Sequence, residues 1–201
     1  MVAELARQAD GSIDVAAMTP GGATLEQHWN EKEAVKVIRK RSYDFVILQE
    51  ASLRPLKEPK KMAEFVARFA KEIRKREATT LLFLTWAHRD RPKTQVEITR
   101  VYREVARKVK ARIAPVGPAW AAARKKRPDL ALHKKDGSHP TPAGSYLAAC
   151  VFYAVITQKS PVGLPHSLQR DKKTVLKLKQ RDARLLQQVA WDAVARFPSQ
   201  G

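Results

Sequence analysis

Four stretches of the chain gather apolar residues in runs too short for a helix. Ser12–Met18 and Tyr43–Leu48 are brief, and each leads into a polar or glycine-bearing turn. Thr79–Trp86 reads Thr-Thr-Leu-Leu-Phe-Leu-Thr-Trp, a continuous apolar run expected of a strand buried on both faces. Arg112–Val116 is shorter and weaker. Between them lie segments with apolar residues every three or four positions, the period of a helix with one buried face. Leu25–Lys40 carries Leu25, Trp29, Ala34, Val37 and Ile38. Lys60–Arg76 carries Met62, Phe65, Val66, Phe69 and Ile73. Lys93–Lys110 carries Val96, Val101, Tyr102, Val105 and Val109. Thr141–Thr157 is apolar on most sides and reads as a buried helix. The segment 172–197 reads as an amphipathic closing helix with Val175, Leu178, Leu185, Leu186, Val189 and Val194 inward.

Strands alternating with helices predict an α/β fold, a parallel sheet covered by helices. Ligands in such folds sit beyond the carboxyl ends of the strands. Those ends are chemically rich here. The first predicted strand exits into Thr19-Pro20-Gly21-Gly22-Ala23-Thr24, the second into Gln49-Glu50-Ala51-Ser52, and the third into Trp86-Ala87-His88. The fourth leads through a short helix to Asp136-Gly137-Ser138-His139-Pro140. No repeat or linker interrupts the 201 residues, so residues 1–201 read as a single domain with a frayed tail over Phe197–Gly201.

Composition narrows the classes. Hydrophobic residues are 44% of the chain and charged residues 29%, the balance of a globular protein. The longest apolar run, Tyr146–Ile156, falls short of the roughly 18 residues that a membrane span needs. The first residues carry no export signal, and localisation stays undetermined. The single Cys150 excludes an internal disulfide and lies in an apolar helical stretch, where a core role is simplest. A net charge of +19 and a pI near 10.4 invite a polyanion partner. The distribution argues against specific nucleic-acid binding: basic clusters are scattered over the chain, and none alternates with aromatics as a stacking surface would.

The sharpest chemical signal is Asp136-Gly137-Ser138-His139-Pro140. A carboxylate three residues before a histidine can fix the imidazole tautomer, as base and orienter do in a hydrolase triad. The same turn could serve only as a helix cap. Gly21 and Gly22 form a turn that could aim backbone N–H groups at a developing anion. Gln49 offers a side-chain amide at the mouth of the sheet. His133, Asp136 and His139 have the composition of a zinc site, but their spacing fits no zinc helix motif because Gly137 and Pro140 break the helix. No metal or cofactor is expected, and no phosphate-cradling loop is present. Trp86 and His88 are candidates for the wall of a substrate pocket.

Taken in order, Pro20–Trp29, Tyr43–Glu50, Thr85–Ala87, Pro115–Trp120 and Asp136–Pro140 resemble five blocks of the SGNH (GDSL-like) hydrolase superfamily, in particular a bacterial branch. Gly144-Ser145-Tyr146-Leu147-Ala148-Ala149 continues the likeness, which covers about residues 1–165. The resemblance implies a flavodoxin-like three-layer α/β/α sandwich with a parallel sheet. It implies a serine esterase of O-acyl esters, acetylated carbohydrate among them. By resemblance His139 is the general base, Asp136 its orienting carboxylate, and Gly22 and Gln49 the oxyanion donors. Gln49 stands where many relatives have a shorter Asn.

The chain departs from the pattern at the nucleophile. The family's serine follows a first strand, and Met1 with Val2, Leu5 and Ala6 instead looks like the start of the first helix. The first strand is expected to be missing, and with it the serine. Asp10-Gly11-Ser12 precedes a predicted strand instead of following one, and Ser52 and Ser138 lie on segments with other assignments. The reading is therefore an esterase-type domain whose nucleophile lies upstream of these residues. The alternatives are an inactive SGNH-like binding protein, or a basic polyanion-binding protein. The expected partner is a small-molecule or carbohydrate ester, with no membrane span; the oligomeric state is open.

Overall fold

The computed structural model of the chain describes residues 1–9 and 11–197. Asp10, part of the Asp-Gly-Ser sequence, and the tail from residue 198 lie outside the described residues. In order, the elements are α1 (Val2–Arg7), α2 (Leu25–Glu31), α3 (Glu33–Lys40), β1 (Phe45–Leu48), α4 (Arg54–Lys57), α5 (Pro59–Arg74) and β2 (Thr79–Phe83). They continue with α6 (Gln95–Val109), β3 (Arg112–Ala114), α7 (Val116–Lys126), α8 (Pro142–Thr157), β4 (Ser167–Arg170), β5 (Lys173–Lys177) and α9 (Gln180–Ala195). They group into two compact units. Of the described residues, one comprises Ala17–Thr85 and Lys93–Ala114; the other comprises Met1–Ala16, Trp86–Pro92 and residues 115–197.

The first of these units holds a parallel sheet in the order β1-β2-β3. Phe45 pairs with Thr79 and Leu48 with Leu82 on one side of β2, and Leu81 with Arg112 on the other. The central position of β2 matches its sequence: Thr80, Leu81 and Leu82 are all buried. Helix α5 buries Met62, Phe65, Val66, Phe69 and Ile73, the stripe its spacing predicts. Helix α6 buries Val101, Tyr102 and Val105 of its expected stripe together with Ile98, whereas Val96 at its start is 79% exposed.

Two expectations for the N-terminal part of the chain fail. Ser12–Met18 is not a strand; Val15 is 58% and Met18 41% exposed. A strand is stable only with a ladder partner. In the expected order this one pairs with the first strand, and among the described residues no strand pairs with it. The helix predicted over Leu25–Lys40 breaks at Lys32, which has φ 64° and ends α2 while starting α3. The break has a geometric cause: nine residues of unbroken helix would turn Ile38 about 180° from Trp29. After the break Ile38 is buried, and Trp29 still meets Phe69 edge-on at 5.2 Å.

The other unit is built on α7, α8 and α9. Helix α8 is buried on most sides, Cys150 included, and burial pushes that thiol up to about 12. Gly144 sits where α8 crosses Trp120: a Cβ there would lie 2.3 Å from the indole and 2.5 Å from the Leu132 carbonyl oxygen. Buried Gln187 of α9 donates to the Tyr146 hydroxyl at 2.6 Å and to the Leu164 carbonyl at 2.7 Å. The closing helix starts at Gln180, not at Lys172 as expected. Lys173–Lys177 is instead a strand, antiparallel to β4. Leu176 alone is buried in it, and Val175, which the helical reading placed inward, is 43% exposed.

Gly144→Ala is expected to destabilise the fold by about 1–3 kcal/mol through overpacking, because a ring and a backbone carbonyl both stand in the way. Urea denaturation at constant m-value measures it.

Candidate functional site

The segment from His133 to Thr141 is a tight excursion closed by its own backbone. Lys134 N–H donates to His139 O at 2.8 Å, Gly137 N–H to Lys134 O at 3.0 Å, and Thr141 N–H to Leu132 O at 2.8 Å. Gly137 has φ 73°, the left-handed region in which a side chain is strained. Asp136 organises the turn. Its Oδ1 accepts from Ser138 N at 2.8 Å and His139 N at 2.9 Å, and its Oδ2 lies 2.9 Å from His139 Nδ1. The two backbone N–H bonds, then the imidazole, lower its pKa to about 2. An ionised Asp136 only accepts, so Nδ1 carries the proton and Nε2 is left with its lone pair outward. The His139 side chain is 72% exposed. This is the arrangement of a general base with its orienter.

The residues after β2 brace that turn. Trp86 donates its indole N–H to Ser138 O at 2.8 Å. Arg89 donates its backbone N–H to Gly137 O at 2.8 Å and its guanidinium to Lys135 O at 2.9 Å. The Ser138 hydroxyl lies 3.3 Å from His88 Nε2. Trp86 stacks on Trp120, with centroids 4.1 Å apart and planes 9° from parallel. Trp120 in turn donates its N–H to His133 Nδ1 at 3.4 Å, and His133 Nε2 lies 3.1 Å from Ala87 O. The Ala87 carbonyl can only accept, so Nε2 carries the proton and Nδ1 accepts from Trp120. Both nitrogens of His133 are thus committed to the scaffold, and burial lowers its pKa and keeps it neutral. Among the described residues no three metal-binding side chains cluster.

In the other unit, Ala23 N–H donates to Pro20 O at 3.3 Å, closing a turn with Gly22 at φ 73°. Open space surrounds the place of a Gly22 Cβ, so the glycine answers to backbone conformation and not to crowding. The turn runs into Thr24, whose hydroxyl caps α2 by accepting from Gln27 N at 3.1 Å. At the end of β1, Leu48 is buried, Gln49 exposed and Glu50 buried. Gln49 therefore presents its amide outward.

The structure brings Asp136, His139, Trp86 and His88 together in one unit. Gly22 and Gln49 belong to the other, as does Ser52, half-buried before α4. Ser12 is exposed on an irregular segment. The sequence reading missed two residues. His133 enters the sequence reading only as a metal-ligand candidate, and its neighbours Leu132 and Lys134 give no hint of Trp120 as a partner. Glu50 was passed over, although alternation after the buried Leu48 marks it as inward.

No protein-family profile and no curated protein matches the sequence. Solved structures do. A DUF4886 family protein from Bacteroides uniformis superposes with a TM-score of 0.77 at 19% identity, over 97% of this chain and 88% of that one. A proposed SGNH hydrolase from Slackia heliotrinireducens gives 0.62 at 28% identity, over 74% and 86%. TesA gives 0.57 at 19% identity, over 78% and 84%. The chain shares the α/β fold of these structures, with its parallel sheet, and through the Slackia protein it is similar to the SGNH-like hydrolases.

Proposed function

We propose that this chain carries the base and the oxyanion donors of a serine esterase acting on O-acyl esters, acetylated carbohydrate among them. One observation carries the reading: His139 Nδ1 stands 2.9 Å from Asp136 Oδ2 while the imidazole is largely exposed. In the proposed reaction a serine hydroxyl attacks the ester carbonyl and its proton passes to His139 Nε2. Asp136 keeps the tautomer and stabilises the imidazolium. The Gly22 N–H and the Gln49 amide accept the charge that develops on the carbonyl oxygen. The imidazolium then protonates the departing alcohol, and water, activated by the same nitrogen, releases the acid. The attacking serine is proposed to come from sequence outside these residues: Ser12 and Ser138 do not lie in a turn directly after a strand of the parallel sheet, and Ser52, in the turn after β1, sits on the segment that also carries Gln49 and Glu50.

The chain alone is expected to hydrolyse p-nitrophenyl acetate no faster than its His139→Ala variant. With a strand and Gly-Asn-Ser block joined ahead of Met1, turnover is expected to appear and to depend on His139. In that form Asp136→Asn should lower kcat by about 10⁴-fold, since Asn can present a donor where the imidazole needs an acceptor. Gln49→Ala should cost roughly 2.7–4 kcal/mol of transition-state stabilisation. No turnover in the joined form would favour the inactive binding protein instead.

The pH dependence of the pair follows from the depressed Asp136 pKa. Its contribution to stability is present above the ordinary value of 3.8 and is lost as pH falls through about 2. The ¹³C resonance of the Asp136 carboxyl should titrate with a midpoint near 2, and Gly137 amide protection should fall in the same window.

A basic surface without a stacking platform should bind heparin weakly. That binding should vanish with modest salt, in the manner of nonspecific phosphate contacts. A heparin column gradient reads this directly, and retention beyond physiological salt would promote the polyanion reading.

A further inference from the structure

Glu50 is a carboxylate 2% exposed, placed next to Gln49 but on the opposite side of the backbone. A charge at that depth costs several kcal/mol unless its lone pairs are filled. One oxygen is filled in an informative way. Oε1 accepts from its neighbour Ala51 N at 2.8 Å and from Leu25 N at 3.3 Å. Leu25 opens α2 and directly follows Thr24, the end of the turn that holds Gly22. A single buried oxygen thus joins the two segments that carry the proposed oxyanion donors, and all of these residues lie in one unit.

The other oxygen, Oε2, has no hydrogen-bond partner among the described residues. Tyr102, from α6, faces both Thr85 and Glu50. The charged groups that face Glu50 are Arg54 of α4 and Glu26 of α2; Arg54 is itself held by Glu26, and its Nε lies 3.2 Å from Glu58. Were Glu50 only filler, an apolar residue would pack there without stranding polar atoms. The Oε1 oxygen instead accepts two backbone N–H groups from segments 25 residues apart.

We propose that Glu50 is a positioning residue of the oxyanion site, its carboxylate setting the spacing between the Pro20–Thr24 turn and Gln49. This rests on the hydrolase reading above for what the spacing is used for, though not for whether Glu50 sets it. Burial raises the Glu50 pKa, with the Ala51 and Leu25 N–H groups opposing. Protonation weakens the hold on both amides, which makes the clasp visible to titration.

The test is a ¹⁵N NMR titration of the 201-residue chain. The Leu25 and Ala51 amides are expected to shift with one midpoint above the ordinary carboxylate value of 4.5. The Gly22 amide and the Gln49 side-chain amide should follow the same midpoint. Glu50→Gln keeps an acceptor at Oε1 and adds an NH₂ group that the Tyr102 or Thr85 hydroxyl can accept. It should fold, and all four titrations should disappear. Folding retains the Glu50 proton longer than unfolding does. Wild-type stability should therefore fall as pH rises from 4.5 through the raised value, and Glu50→Gln should abolish that slope. In the serine-joined enzyme, Glu50→Gln should lower kcat up to about 10²-fold with KM unchanged, the signature of misplaced donors. Titration of Leu25 and Ala51 without Gly22 and Gln49 would overturn the proposal and leave Glu50 a structural clasp. A His139-independent joined enzyme would sink the hydrolase reading while leaving the NMR result standing.

Discussion

The Asp136 carboxylate is the group on which the candidate base depends. It accepts three N–H groups, two from the backbone of its own turn and one from the imidazole it orients. Only a short side chain can reach the amides two and three residues ahead, which is why the position suits Asp and not Glu. The same contacts do three things together. They close the turn, hold the charge on the carboxylate far below neutral pH, and leave His139 Nε2 as the atom facing outward. Gly137 allows the backbone to double back so that Ser138 and His139 present their amides to one oxygen.

A turn with so exposed a tip needs a rigid foundation, and Trp86, Trp120 and His133 supply it. The two indoles stack, each spends its N–H on a defined acceptor, and His133 closes the ring back to Ala87. Two histidines six residues apart thus divide the labour through environment alone. His133 is buried, neutral and saturated, so it holds backbone. His139 is exposed with one nitrogen held, so it can take a proton. Gly144 belongs to the same construction, because any side chain there would push Trp120 out of the stack.

The central strand was legible because burial on both faces forces an apolar run, and Thr79–Phe83 has one. The stripe of α5 was legible for the same kind of reason. Ser12–Met18 misled because local apolarity cannot say whether a ladder partner exists. The β4–β5 hairpin was hidden because Lys173–Lys177 is mostly charged and polar, with Leu176 alone marking the inner face. At the candidate site, the contact between Asp136 and His139 was readable from short-range spacing, whereas Gly22 and Gln49 are carried by resemblance. Glu50 and the role of His133 were not legible. Both depend on residues distant in sequence, Leu25 for one and Trp120 for the other, and a charged residue beside a named polar one reads as surface until its burial is known.

The two carboxylates show how the same chemistry yields opposite behaviour. Asp136 and Glu50 both spend oxygens on backbone N–H groups. Asp136 has three donors and remains half in solvent, so the bonds win and its pKa falls. Glu50 has two donors and is sealed, so desolvation wins and its pKa rises. Acid therefore reaches the two in a fixed order. As pH falls, Glu50 takes its proton first and its hold on Leu25 slackens, while the Asp136 turn stays intact. The segments that carry the proposed oxyanion donors are consequently tied to a titrating group, and that group is a residue that would not itself touch the substrate.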